Sequence, residues 1–216
     1  MPQKYKHTVM KKMLLTLLGL CLIVVGSYFL YTAMTVKKVV IQAPSGVVKA
    51  SSEKRTTQQK QEYTVPASHP RMLTIKKLGV NAAILPMGAP GGAMAAPASA
   101  WDVGWYNQSA LPGSDSGALL IDGHVNDALG TPGVFANLTT LQNGDELQIE
   151  RGDHQLFVYT VTKVQSVALQ NVDMSTMQRS VEPGKEGLNL ITCSGVYDYK
   201  KKTYDHRILV FAVRKG

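Results

Sequence analysis

Met13 to Met34 runs for 22 residues without a charged side chain, and this stretch limits the architecture of the chain more than any other. As a helix it is long enough to cross about 30 Å of hydrocarbon. The competing reading is a cleaved signal peptide, whose apolar region is usually about 7 to 15 residues, ending in small residues at the cleavage site. Tyr31-Thr32-Ala33 matches such a site poorly, so a retained anchor is expected. Lys4, Lys6, Lys11 and Lys12 precede the run and Lys37 and Lys38 follow it. The positive-inside bias then places residues 1–12 in the cytoplasm and everything after residue 35 outside, a single-pass arrangement in the cell membrane.

The remaining chain must supply any folded domain. The formal net charge of +8 invites a nucleic-acid or membrane reading, and its distribution decides between them. Residues 1–70 hold ten Lys/Arg against two Asp/Glu, whereas residues 71–216 hold thirteen of each. A nucleic-acid binder carries its basic patch on the folded domain, so no nucleic-acid partner is expected. Residues 35–70, rich in Lys, Gln, Ser and Thr with Pro44, Gly46, Pro66 and Pro70, read as an extracytoplasmic tether. A flexible chain of that length reaches about 30 to 36 Å. The folded domain is expected over residues 71–216.

Within it, Met72–Ile75 and Val80–Met87 read as short strands, followed by a Gly/Ala/Pro-rich loop over Gly88–Ala100. Trp101, Trp105 and Tyr106 read as core aromatics. Ala118–Asp122 is an apolar strand that stops at Gly123-His124. A short helix is expected within Gly133–Leu141, a hairpin over Asp145–Arg151 and Gln155–Val164 with His154 at its tip, and a helical turn near Asp173–Gln178. Many short strands with few helical windows argue for an all-β barrel or sandwich.

The chain closes with Leu188–Cys193 and His206–Val213, two strands joined by a loop over Ser194–Asp205. Paired antiparallel, they set Cys193 beside Arg207 at one rim of a sheet. Alternation puts Asn189, Ile191 and Cys193 on one face and Leu188, Leu190 and Thr192 on the other. A thiol at its ordinary pKa of about 8.5 is only slightly ionised at neutral pH, and an adjacent imidazole or guanidinium favours the anion. Arg207 cannot act as a base, but it can stabilise a thiolate or an oxyanion. Among the histidines, His124 at a strand end is the best placed partner. His7 falls on the cytoplasmic side, His69 in the tether and His154 at a hairpin tip, while His206 faces away from Arg207. Cys21 and Cys193 would lie in different phases, so no disulfide is expected, and no Cys/His cluster has zinc-like spacing. On these residues alone an active thiol competes with a buried structural cysteine.

Ile191-Thr192-Cys193, Arg207 on the following strand and Leu120-Ile121-Asp122-Gly123-His124 together resemble the sortase family of Gram-positive cell-surface transpeptidases. The resemblance implies a closed β-barrel of about eight strands with short helices, carried behind an N-terminal transmembrane helix. Gly104-Trp105, Leu111-Pro112-Gly113, Gly117, Gly123-His124-Val125 and Gly133-Val134-Phe135 resemble class F within that family, with class D or E the nearest rival. The family site would fall on His124, Cys193 and Arg207, with Thr192, Ser194, Tyr197 and Asn126 as substrate-contacting candidates. Asp122 and Asn126 flank His124 and could orient it.

The resemblance further implies that Cys193 attacks the Thr-Gly carbonyl of a Leu-Pro-Xaa-Thr-Gly-like signal on surface proteins, forming a thioacyl enzyme. A cell-wall peptide amine would then resolve it, without metal or cofactor. Two alternatives remain at this stage. An L,D-transpeptidase would show histidine beside its cysteine in a Ser-His-Gly-Cys cluster, unlike Ile191-Thr192-Cys193-Ser194. A membrane-anchored binding domain would use Cys193 structurally.

Overall fold

The computed structural model describes residues 53–90 and 94–216. The apolar run at 13–34 and most of the tether lie outside the described residues. Eight strands close into a barrel: β1 (Pro70–Ile75), β2 (Val80–Met87), β3 (Val103–Tyr106), β4 (Ala118–Gly123), β5 (Glu146–Arg151), β6 (Leu156–Ala168), β7 (Gly187–Asp198) and β8 (Thr203–Arg214). Their order around the barrel is β1-β2-β3-β4-β7-β8-β6-β5. Two short helices, α1 (Thr57–Glu62) and α2 (Met174–Met177), lie outside the strand order.

β2 with β3 and β4 with β7 pair parallel, and the other neighbours pair antiparallel. A parallel pair needs a crossover connection. Here the crossovers between β2 and β3 and between β4 and β7 supply Met94, Val172 and Met177 as covers of the outer face. β4, β7 and β8 are consequently buried on both sides, which is why Ala118–Ile121, Leu188–Ile191 and Ile208–Val213 read as near-continuous apolar runs. Leu119, Ile121, Leu188, Leu190, Ile208 and Val210 fill the barrel. Leu120, Ile191, Leu209 and Phe211 point outward and pack under Met94, Val172 and Met177.

The closing hairpin differs from the sequence expectation. β7 continues past Cys193 to Asp198 and β8 begins at Thr203, so most of Ser194–Asp205 is ladder, with Tyr197 opposite Tyr204. Alternation is lost to a register shift between Ser194 and Tyr197, where Gly195 takes a φ of 84° and the Val196 N–H donates to Asp205 Oδ1 at 2.8 Å. That bulge hides the second half of the hairpin from a period-two pattern. β3 is the strand that hydropathy does not show, since only four residues form it. Its Trp105 is buried, with Nε1 donating to the Ala110 carbonyl. Trp101 is only half-buried and lies under the Lys54 ammonium.

Residues 53–69, the last part of the stretch read as tether, pack against the barrel. Thr56 caps α1 in a reciprocal capping box with Gln59. Arg55 bonds Asp102, and buried Arg71 donates to the carbonyls of Tyr63, Lys60 and Gln61 while pairing with Glu150. Far from the thiol, buried Glu186 ties the 111–117 turn to β6 and β8. It accepts from Gly113 N–H, Tyr159 OH and Arg214.

Candidate active site

Cys193 sits in β7 directly opposite Arg207 in β8. Both continue the outward rows of their strands, after Ile191 in β7 and before Leu209 in β8. The outer face is therefore apolar at one end and turns polar at the thiol. Cys193 is half-buried and reduced. Arg207 is almost fully buried, and its planar fork is clamped. Nη1 donates to the carbonyls of Tyr204 and His206, and Nη2 donates to Thr203 Oγ1 at 2.9 Å. Nε–H and one Nη2–H are left without a hydrogen bond among the described residues. A guanidinium held in this way is a fixed positive charge with two donors in hand.

His124 follows the last residue of β4. Its placement depends on close backbone approach: Phe135 N–H donates to the His124 carbonyl and Gly133 N–H to that of Val125, both at 2.9 Å. A Cβ on Gly133 would lie 2.6 Å from the His124 oxygen, so only glycine allows this contact. The ring Nε2 lies 2.7 Å from the Pro97 carbonyl. A carbonyl can only accept, so Nε2 carries hydrogen in either protonation state, and Nδ1 is the nitrogen that gains and loses a proton.

Asp122 joins these groups on the outer face. It pairs with Ile191 of β7 and with Gly104 of β3, and it follows the outward-facing Leu120. Burial pushes its carboxyl up to about 6, against the pull of His124, Arg207 and the Gly123 N–H. The Cys193 thiol is also pushed up, first by burial and further by Asp122, with Arg207 pulling the other way. Burial and Asp122 therefore both favour the neutral thiol. Burial also raises the Tyr204 phenol, as does the nearby Cys193.

The other expected contacts divide. Thr192 faces the barrel interior, buried, and its hydroxyl donates to the Gly123 carbonyl at 2.7 Å. It is therefore a staple between β7 and the end of β4, on the opposite face of β7 from the thiol. Ser194 Oγ is buried with no partner among the described residues. Tyr197 packs edge-on against both Tyr199 and Tyr204. Asn126 Oδ1 accepts from Tyr204 OH at 2.9 Å, linking the His124 loop to the hairpin. His206 pairs with Asp205 and His154 with Glu150, both exposed. Sequence reasoning missed Thr203 and Pro97. Thr203 lies four residues before Arg207 in one strand, a signal hidden by treating that segment as loop. Pro97 acts through its backbone carbonyl, which no residue type announces. Among the described residues, no group of three or more His, Cys, Asp or Glu is arranged to hold a metal ion.

Comparison with known proteins adds the family. The family described as "Sortase domain" matches residues 73–215. No curated protein matches the chain in sequence. Among solved structures, a sortase D5 transpeptidase of Clostridium perfringens is 20% identical with a TM-score of 0.51, covering 76% of this chain and 91% of that one. The Pilus Island 1 sortase C2 of Group B Streptococcus is 18% identical with a TM-score of 0.53, over 85% and 90%. Sortase C-1 of Actinomyces oris is 21% identical with a TM-score of 0.50, over 67% and 72%. At these identities the likeness is one of fold.

Proposed function

We infer the function from family and site together: the chain belongs to the sortase family of cysteine transpeptidases, and Cys193, His124 and Arg207 are its reacting groups. The observation that carries this reading is the register of the last two strands, which sets the thiol opposite a clamped guanidinium on a polar end of the outer face. Cys193 attacks the Thr-Gly carbonyl of a Leu-Pro-Xaa-Thr-Gly-like signal. The thiol proton passes to His124 Nδ1 as the sulfur bonds to carbon, and the two remaining N–H groups of Arg207 stabilise the oxyanion. His124 returns the proton to the departing glycine amine as the C–N bond breaks, leaving a thioacyl enzyme. A cell-wall peptide amine, deprotonated by His124 as it attacks, releases the joined product and restores the thiol. No step draws on a metal or cofactor.

Several finer assignments belong to this proposal. Residues 13–34 anchor the chain in the cell membrane with residues 1–12 cytoplasmic, and the barrel works outside on anchored surface proteins. Class F is favoured by its glycine and proline motifs, because the matched class C and class D structures share the fold alone at their low identity. Ser194, with its unpartnered hydroxyl, and the Tyr197 aromatic cluster border the reacting groups and are the proposed substrate contacts. The test is mass spectrometry of products formed by the full chain from a Leu-Pro-Xaa-Thr-Gly peptide with defined amine acceptors. Cleavage and amine transfer are expected from the natural chain and neither from Cys193→Ala. Cleavage retained in Cys193→Ala would overturn the mechanism.

A further inference from the structure

The site holds a carboxyl that the reaction above does not use. Asp122 lies on the face that carries Cys193 and Arg207, one strand away from the thiol. It pairs with Ile191, and Cys193 is the next outward residue along β7. From β3 its partner is Gly104, which brings no side chain. Met87 and Pro97 fill the space that a Gly104 side chain would take, with Met87 Cγ 2.6 Å and Pro97 Cδ 3.3 Å from the position of a Cβ there. The carbonyl of that same Pro97 lies against His124 Nε2. Asp122 is half-buried, with Pro97 packed over the neighbouring Gly104. The charged and titratable groups around it are His124 beyond the end of β4, Cys193 on β7 and Arg207 on β8. Tyr204, which interacts with Cys193, completes the set.

We propose that Asp122 is a positioning residue that opposes the field of Arg207 at the Cys193 thiol. This rests on Cys193 being the nucleophile. A buried guanidinium beside a cysteine pulls toward the thiolate, and here that pull is set against burial of the sulfur. A fixed carboxylate on the same face offsets that pull, because it raises the energy of a second anion nearby. Partial burial limits screening by water, so the opposition operates at short range. The sulfur then ionises only as its proton moves to His124 with a substrate carbonyl in place. Arg207 remains available for the oxyanion instead of being held by a resting thiolate. A neutral thiol is also the less oxidisable form, which suits an enzyme placed outside the cell.

The test is the pH dependence of iodoacetamide alkylation at Cys193 in the full chain. Mass spectrometry of the Cys193 peptide keeps the signal separate from Cys21. In Asp122→Asn the alkylation midpoint is expected to fall by about one pH unit, whereas Asp122→Glu, which keeps the charge, should stay near the natural midpoint. Asp122→Ser provides a second neutral variant and should move as Asn does. A midpoint unchanged in the folded neutral variants, or lowered equally in Asp122→Glu, would overturn the proposal. Alkylation does not require turnover. A failure of the transpeptidase reading, seen as cleavage retained in Cys193→Ala, is therefore distinguishable from a failure of this inference.

Discussion

Arg207 shows why a single residue at this site is not exchangeable by charge alone. Its fork satisfies two carbonyls and a threonine hydroxyl at once, from a nearly fully buried position. An ammonium is a compact point charge on a flexible stem and cannot reproduce that planar set. In Arg207→Lys, peptide cleavage is expected to drop about 100-fold or more, the scale of losing an oxyanion donor. Buried carbonyls left without donors should also lower stability by about 1 to 3 kcal/mol. Turnover assays and denaturant melts on the same preparation check both, and natural turnover in the lysine variant would reduce Arg207 to a structural group. The sequence made the Cys193–Arg207 adjacency legible because hairpin pairing and alternation are local rules. It did not make the clamp legible, since two of the three acceptors are backbone carbonyls.

At the level of elements, the strap that carries His124 is fixed by glycine contacts. The Gly133 Cα faces the His124 carbonyl so closely that an added Cβ meets backbone at 2.6 Å, and backbone cannot swing aside as a side chain can. Gly133→Ala is expected to push the His124 segment away from Phe135, costing about 1 to 3 kcal/mol of stability as overpacking does. Cleavage should fall with it while Cys193 alkylation remains. Activity and melting temperature at natural values in Gly133→Ala would show that the strap is loosely held. Elements were unevenly legible. β2 spans the residues expected from alternation, and β1, β4 and β5 differ from expectation only at their ends. β3 escaped notice because a four-residue strand carries less than one full pattern and its pairing is supplied by β2 and β4. The helix expected within Gly133–Leu141 is instead a 3-10 turn at Leu138–Thr140, too short for a helical period to develop. The outward Leu120, Ile191 and Leu209 rows could not be assigned a cover from sequence, because the residues above them come from two distant crossovers.

For the barrel as a whole, the site carries a stability cost that can be read from pH. Folded Asp122 keeps its proton up to about 6, against an ordinary value of 3.8. Between those values the folded chain binds more proton at this position than the unfolded chain, so the Asp122 contribution falls as pH rises through them. It is fully present below 3.8 and lost above about 6. Surface carboxyls act in the opposite sense. Asp153, through Arg151, and Asp173, through its bonds to Thr176 and Ser175, are held at about 2. Their contribution is present above 3.8 and is lost as pH falls toward 2. Those groups are common to the natural chain and Asp122→Asn, so a comparison of the two isolates the Asp122 carboxyl. The difference in melting temperature, variant minus natural, is expected to grow from pH 4 to pH 7, leaving the variant relatively more stable where the natural chain must ionise Asp122. A difference that stays flat over that range would mean that Asp122 ionises as readily folded as unfolded. A carboxylate that destabilises the barrel at neutral pH and lies beside the thiol is the kind of residue that function retains against stability. The same substitution should therefore raise the melting temperature and lower the thiol midpoint together, two measurements that a merely structural aspartate would not couple.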